Sequence, residues 1–271
     1  MRWKPSAIMV AACLFAAGAA FAAGPVAGGP NTYTGNFAVA GAGSAAKPVA
    51  TSLVETLGMA NATSGDVGAP LVNIKTTTYG VKANGQYFPK CTVSEINGDN
   101  GHNGKWNGVC PKGALVATGS VHAALTSPQA NLAGPGAPCS LGLWVYNAGA
   151  GKLTFFFTAS PASCDGLSTG AAAAWTGTVT QAGKTMITNV PEPADVSYNA
   201  GNIGLFGSLQ TEKLSFKKMT VRHAGKVIPF IESMGCQKGA RPFSVTYMAT
   251  TSNSPSSANE SGATVKGSSK C

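Results

Sequence analysis

The chain has 271 residues, 44% of them hydrophobic and only 11% charged, with 19 basic and 10 acidic side chains and a net charge of +9. Soluble domains average about 25% charged residues, so the polar surface here must come from Gly, Ser, Thr and Asn. That composition excludes charge-driven disorder and a long salt-bridged coiled coil, while the length allows one large domain or two small ones, each with a real core.

The first 22 residues read as a bacterial Sec-type signal peptide. Arg2 and Lys4 form the positive region, an apolar run follows, and Ala20-Phe21-Ala22 supplies a small-x-small cleavage site. A transmembrane anchor is the competing reading, but the run is short, rich in Ala and cut off by Gly24-Pro25. Val10-Ala11-Ala12-Cys13 also resembles a lipobox, although only the short apolar run Ala7 to Ala12 precedes the cysteine. Type I cleavage near Ala22 is preferred, and lipoprotein processing at Cys13 stays open.

Without Arg2 and Lys4 the 19 basic residues become 17 against 10 acidic ones, a net charge of +7. Cys13 leaves with the leader, and an odd cysteine count becomes an even one. Cys91, Cys110, Cys139, Cys164, Cys236 and Cys271 remain, which in an exported chain predicts three disulfides. Six cysteines permit 15 pairings; the spacing favours neighbours, Cys91 with Cys110, Cys139 with Cys164 and Cys236 with Cys271. No CxxC pair or paired His at ligand spacing is present, so no metal or cofactor site is expected.

Residues 23–50 read as a Gly/Ala-rich leader with one short strand, Thr32 to Val39, and residues 51–271 as the folded domain. Alternating patterns predict strands over Ala114 to Leu125, Ser140 to Tyr146, Lys152 to Thr158, Ala174 to Thr180, Lys184 to Val190 and Phe243 to Thr250. Phe155, Phe156 and Phe157 are consecutive, which predicts a strand buried on both faces. Ala171 to Trp175 is the one short helix candidate. About eleven strands at roughly ten-residue spacing predict an all-β antiparallel sandwich, of jelly-roll or Ig-like kind.

Residues 212–222 and 226–233 read as a hairpin turning at Ala224-Gly225, where Gly225 would supply a positive φ. The apolar residues switch parity between Phe216 and Met219, which predicts a bulge at Lys217-Lys218. Pro229 marks the second strand as an edge strand or a bulge site. With residue 223 opposite 226, Glu232 would fall opposite Lys217 as a cross-strand ion pair.

Two blocks then stand out. One is Phe88-Pro89-Lys90-Cys91 with Val109-Cys110-Pro111-Lys112-Gly113; the other runs from Ile231-Glu232-Ser233-Met234-Gly235-Cys236 through Arg241-Pro242-Phe243 and ends with Cys271. This pattern resembles a group of secreted actinobacterial proteins, disulfide-linked β-sandwiches with no assigned activity, over about residues 70–271. The resemblance implies the pairs Cys91–Cys110 and Cys236–Cys271, leaves Cys139 and Cys164 to each other, and carries over no catalytic residue.

Motifs that bear chemistry are weak. Gly166-Leu167-Ser168-Thr169-Gly170 matches G-x-S-x-G, with Asp195 and His223 following in hydrolase order. That motif needs a strand–turn–helix elbow in a parallel sheet, and the surrounding sequence predicts a loop. Asn97 to Gly104 alternates Asn, Asp and Gly but fails the calcium-loop spacing, because Gly101 and Gly108 stand where ligands are required. Trp106, in the same loop, could meet a sugar ring or pack on its own domain. Glu192 and Asp195 are close in sequence but sit in a Pro-rich loop, a poor frame for paired carboxylates. His122 lies in a strand, and His102 and His223 lie in turns.

Charge is densest at Lys213, Lys217, Lys218, Arg222, Lys226, Lys238 and Arg241 against Glu212 and Glu232, a local net of +5. A solvated sheet edge accounts for these lysines. The functional reading takes Lys213, Lys217, Lys218, Arg222 and Lys226 as a patch for an anionic cell-envelope polymer or polysaccharide. Nucleic acid is not expected, because no stacking aromatics accompany the bases. The sequence therefore predicts a secreted or envelope-associated protein with a non-enzymatic structural or binding role. The alternative is a secreted hydrolase of esterase or glycosidase type, using Ser168 or Glu232.

Overall fold

The computed structural model describes residues 20–21, 24–29, 31–61, 67–98, 109–126, 136–158, 163–164, 173–193, 196, 205–250 and 260–271. The strands of the first third are β1 (Ala20–Phe21), β2 (Val26–Gly28), β3 (Asn31–Val39), β4 (Val49–Ala50), β5 (Leu53–Asn61), β6 (Leu71–Tyr79) and β7 (Val81–Ala83). A short helix, α1 (Val93–Gly98), precedes β8 (Leu115–Thr126), β9 (Ala137–Asn147), β10 (Lys152–Thr158), β11 (Trp175–Ala182) and β12 (Thr185–Pro191). The remainder comprises β13 (Phe206–Phe216), β14 (Thr220–His223), β15 (Lys226–Pro229), β16 (Ile231–Ser233), β17 (Ala240–Thr250) and β18 (Glu260–Lys270).

Thirteen strands form one antiparallel sheet in the order β1-β18-β17-β6-β12-β11-β10-β9-β8-β13-β5-β3-β2. The sheet coils until its two ends face each other, so the two layers of the fold are halves of one continuous sheet. Tyr33 of β3 stacks on Tyr247 of β17 with ring centroids 4.6 Å apart, and Phe37 packs on Phe243 at 5.1 Å. β2 comes so close to β18 that a Cβ at Gly28 would lie 2.6 Å from the Ala263 Cβ and 2.8 Å from the Gly262 backbone. Only a glycine lets the ends meet there.

The expected all-β antiparallel fold with three disulfides is present, with eighteen strands among the described residues instead of about eleven. Part of the excess is very short strands such as β4, β7 and β16, which make a separate three-stranded sheet. β3 buries Tyr33 and Phe37 in the main core, although it arises from a stretch with the composition of a leader. The triple-Phe strand is buried on both faces. Phe155 and Phe157 point to the main core, and Phe156 packs with Ile96 of α1, Ala114 and Tyr146 on the other side.

Two expectations are corrected locally. Trp175 opens β11, so residues 173–175 are not helical. The helix that does form, α1, begins with a capping box: the Thr92 N–H donates to Glu95 Oε2 (2.6 Å), and the Glu95 N–H donates to Thr92 Oγ1 (3.4 Å). The disulfides are Cys91–Cys110, Cys139–Cys164 and Cys236–Cys271, the neighbour pairing. No helix among the described residues is long and apolar enough to cross a membrane.

Candidate functional site

The basic hairpin turns where the sequence places it. His223 pairs with Lys226, and Ala224 (φ 49°) and Gly225 (φ 76°) form a two-residue turn with both φ values positive. Its strands are shorter than the alternating pattern suggests. β13 ends at Phe216 and β14 begins at Thr220, so Lys217 and Lys218 lie in a link between the main sheet and a separate two-stranded ribbon, not in a bulge. The chain also leaves the ribbon at Phe230. Glu232 therefore pairs in register with Lys82 of β7, not with Lys217, and its carboxylate lies 3.3 Å from Lys82 Nζ. The expected ion pair of this glutamate thus forms with Lys82 in place of Lys217.

Lys213, Lys217, Lys218, Arg222, Lys226 and Lys238 are all exposed, and none has an ion-pair partner among the described residues. Arg241, counted with them in sequence, is buried. It donates to the Gly80 carbonyl (3.1 Å), the Gly41 carbonyl (3.3 Å) and Ser233 Oγ (2.9 Å), and lies against the sulfurs of Cys236 and Cys271. Val227 is 56% exposed on the ribbon, and Tyr87, 37% exposed, sets its ring 5.0 Å from that of His223. His122 is exposed, with Nδ1 3.0 Å from Ser140 Oγ. Ser168, Asp195, His102 and Trp106 lie outside the described residues, as does most of the Asn97 to Gly104 loop; Asn97 itself holds the backbone of Ala174.

The second feature is internal, and it brings together acids that the sequence does not group. In the register of β5 and β13, Leu214 stands opposite Glu55 and Leu57 opposite Glu212, which makes the two glutamates diagonal neighbours on the inner face. Glu192, just beyond β12, enters from the opposite wall, its N–H held by the Val72 carbonyl at 3.0 Å. All three line a cavity walled by Leu53, Ile74, Phe155, Phe157, Trp175 and Leu214, with about 30 Å³ open to the centres of water molecules. No basic side chain lines it, and none of the three carboxyls has a hydrogen bond or ion pair among the described residues.

Burial raises all three acids. Glu192 is pushed up to about 8 and Glu212 to about 7, and Glu55 is also well above the usual carboxylate range. The charge of Glu212 adds to the effect on Glu55 and Glu192. Glu55 is buried, and Glu192 and Glu212 are half-buried on the wall of the cavity. Tyr247 is raised by burial first and then by Glu55 and Glu212. A signal for this site was present: Glu212, Leu214 and Phe216 share one parity, as do Leu53, Glu55 and Leu57.

No group of His, Cys, Asp and Glu placed to hold a metal ion occurs among the described residues. Glycoside hydrolysis needs a cleft that admits a sugar ring between two carboxyls, and this cavity holds only two or three waters. No protein-family model matches the chain, and no curated protein matches it.

Proposed function

We propose that this is an exported, extracytoplasmic binding protein without a catalytic role, which docks through the basic segment between Lys213 and Lys226 on an anionic polymer of the cell envelope. The observation that carries the reading is the exposure of Lys213, Lys217, Lys218, Arg222 and Lys226 with no ion-pair partner among the described residues. The nearby acids are turned elsewhere, Glu212 into the interior and Glu232 onto Lys82. Export is supported by the leader at residues 1–22, by the resemblance to secreted proteins, and by three disulfides, which belong to oxidising compartments. Val227 and Tyr87 add apolar contact beside the charges.

The test is retention on purified cell wall across a salt series. Screening shortens the reach of exposed charges from about 10 Å at 0.1 M salt to about 3 Å at 1 M, so binding should fall steeply over that range. Lys217→Glu with Lys218→Glu should weaken it at low salt without changing the fold. Retention that ignores salt and survives both substitutions overturns the proposal.

A further inference from the structure

Arg241, 1% exposed, is a buried cation without an anion. No carboxylate pairs with it among the described residues, and its Nε has no acceptor there. A buried charge left unpaired is costly, and a guanidinium cannot shed its proton to escape the cost. Beyond Ser233 and the Gly41 carbonyl, its Nη2 touches a disulfide, with Cys271 Sγ at 3.5 Å and Cys236 Sγ at 3.7 Å.

The other two disulfides are set differently. Cys91 packs with Ile96, Tyr146 and Phe156, and Cys139 and Cys164 pack with Leu125. Of the six paired cysteines only Cys271 is exposed. Apolar burial raises the pKa of a thiol, whereas an adjacent cation lowers it and makes the thiolate a better leaving group. One bond of the three therefore combines access for a nucleophile with a cation placed to receive the thiolate.

We propose that Cys236–Cys271 is a reversible redox site, opened by a dithiol reductant, with Arg241 holding the thiolate that leaves. A thiolate of the reductant attacks Cys271 Sγ. A sulfur–sulfur bond to the reductant forms, the Cys236–Cys271 bond breaks, and its electron pair stays on Cys236 Sγ beside Nη2. The second thiol of the reductant gives its proton to solvent and attacks the reductant's sulfur in the mixed disulfide. Cys271 leaves and takes up a proton, and the reductant departs as a disulfide with two electrons passed to the protein. The same steps in reverse close the bond. Besides Arg241, the charged side chains on the surrounding segments, residues 41–47, 80–82, 232–241 and 268–271, are Lys47, Lys82, Lys238, Lys270 and Glu232, and Glu232 is taken up by Lys82. Opening the bond unfastens the end of β18, the strand that β2 meets where the sheet closes.

The experiment treats the oxidised full protein with dithiothreitol in the absence of denaturant. Free thiols are trapped at intervals by alkylation in denaturant, and the labelled peptides are mapped. Cys236 and Cys271 should be labelled at least about tenfold sooner than the other four cysteines. Exposure alone would also favour this bond, so a second measurement reads the thiolate. In Cys271→Ser, alkylation of Cys236 should be half-maximal below about pH 7.5, against about 8.5 for an unassisted thiol. Arg241→Gln should slow reduction of this bond by about tenfold, and Arg241→Lys should restore part of the rate. Should the Arg241 variants fail to fold, the Cys271→Ser profile decides. Reduction no faster than at the other disulfides, a Cys236 midpoint near 8.5, or an unaltered rate in folded Arg241→Gln overturns the proposal.

Discussion

At Glu55, Glu192 and Glu212 an aliphatic side chain would fill the interior with no polar group left to satisfy. The three acids instead tie the stability of the fold to pH. Unfolded glutamates titrate near 4.5, whereas Glu212 and Glu192 in the folded chain titrate at about 7 and about 8. Below the unfolded value both states are protonated and nothing is lost. As pH rises through the folded values the unfolded state holds the charge more easily, so stability falls. The thermal midpoint should therefore drop between about pH 5 and about pH 9, and Glu192→Gln with Glu212→Gln should flatten the drop. Arg241 behaves differently. Burial lowers its pKa, yet a guanidinium stays charged, and its hydrogen bonds hold Gly80, Gly41 and Ser233 together. Arg241→Leu would leave these acceptors unpaired and should destabilise the fold by about 3 kcal/mol in denaturant unfolding.

Among the elements, the turn of the ribbon carries a measurable strain. Ala224 adopts φ 49° in a turn that favours Asn or Gly at that position. Ala224→Asn should stabilise the ribbon by about 1 kcal/mol, seen as slower amide exchange from Thr220 to Pro229. The same ribbon shows how far the sequence can be read. Its turn was readable because His223-Ala224-Gly225 interrupts two alternating runs; its strand ends were not, because Lys217 and Glu232 take partners from β8 and β7 that are distant in sequence. β10 was readable to the residue, since three consecutive phenylalanines fit only a two-faced strand. β18 was missed: its eleven residues include only Val265 as a large apolar side chain, and they are held in place by pairing along the whole of β17. Helix α1 was readable in principle from Thr92-Val93-Ser94-Glu95, but it is only six residues long and ends among Gly and Asn. The inner carboxyls escaped because parity places a side chain on a face without saying which face is inside.

The molecule as a whole is closed by contact between sheet ends and by three covalent links. The paired cysteines stand 19, 25 and 35 positions apart in the sequence. In the chain-entropy account, loops of this size each contribute about 3 to 4 kcal/mol, or about 10 kcal/mol together. Reduction in mild denaturant should therefore unfold the protein, while the oxidised form should remain folded under the same conditions. The low charged fraction of the chain now has a structural counterpart, a surface of Thr, Ser and Asn on the outer side of one long sheet, with several of the few acids turned inward.

The stacking of Tyr33 on Tyr247 also has a consequence in time. Its partners are separated by most of the chain, and strands that pair over such distances form slowly because the intervening loop must close first. A nascent chain cannot bury β3 until β17 has been made, so the early segments stay threadable throughout synthesis. Under the export proposed above, late completion of the core would keep the polypeptide competent for passage and defer folding to the far side.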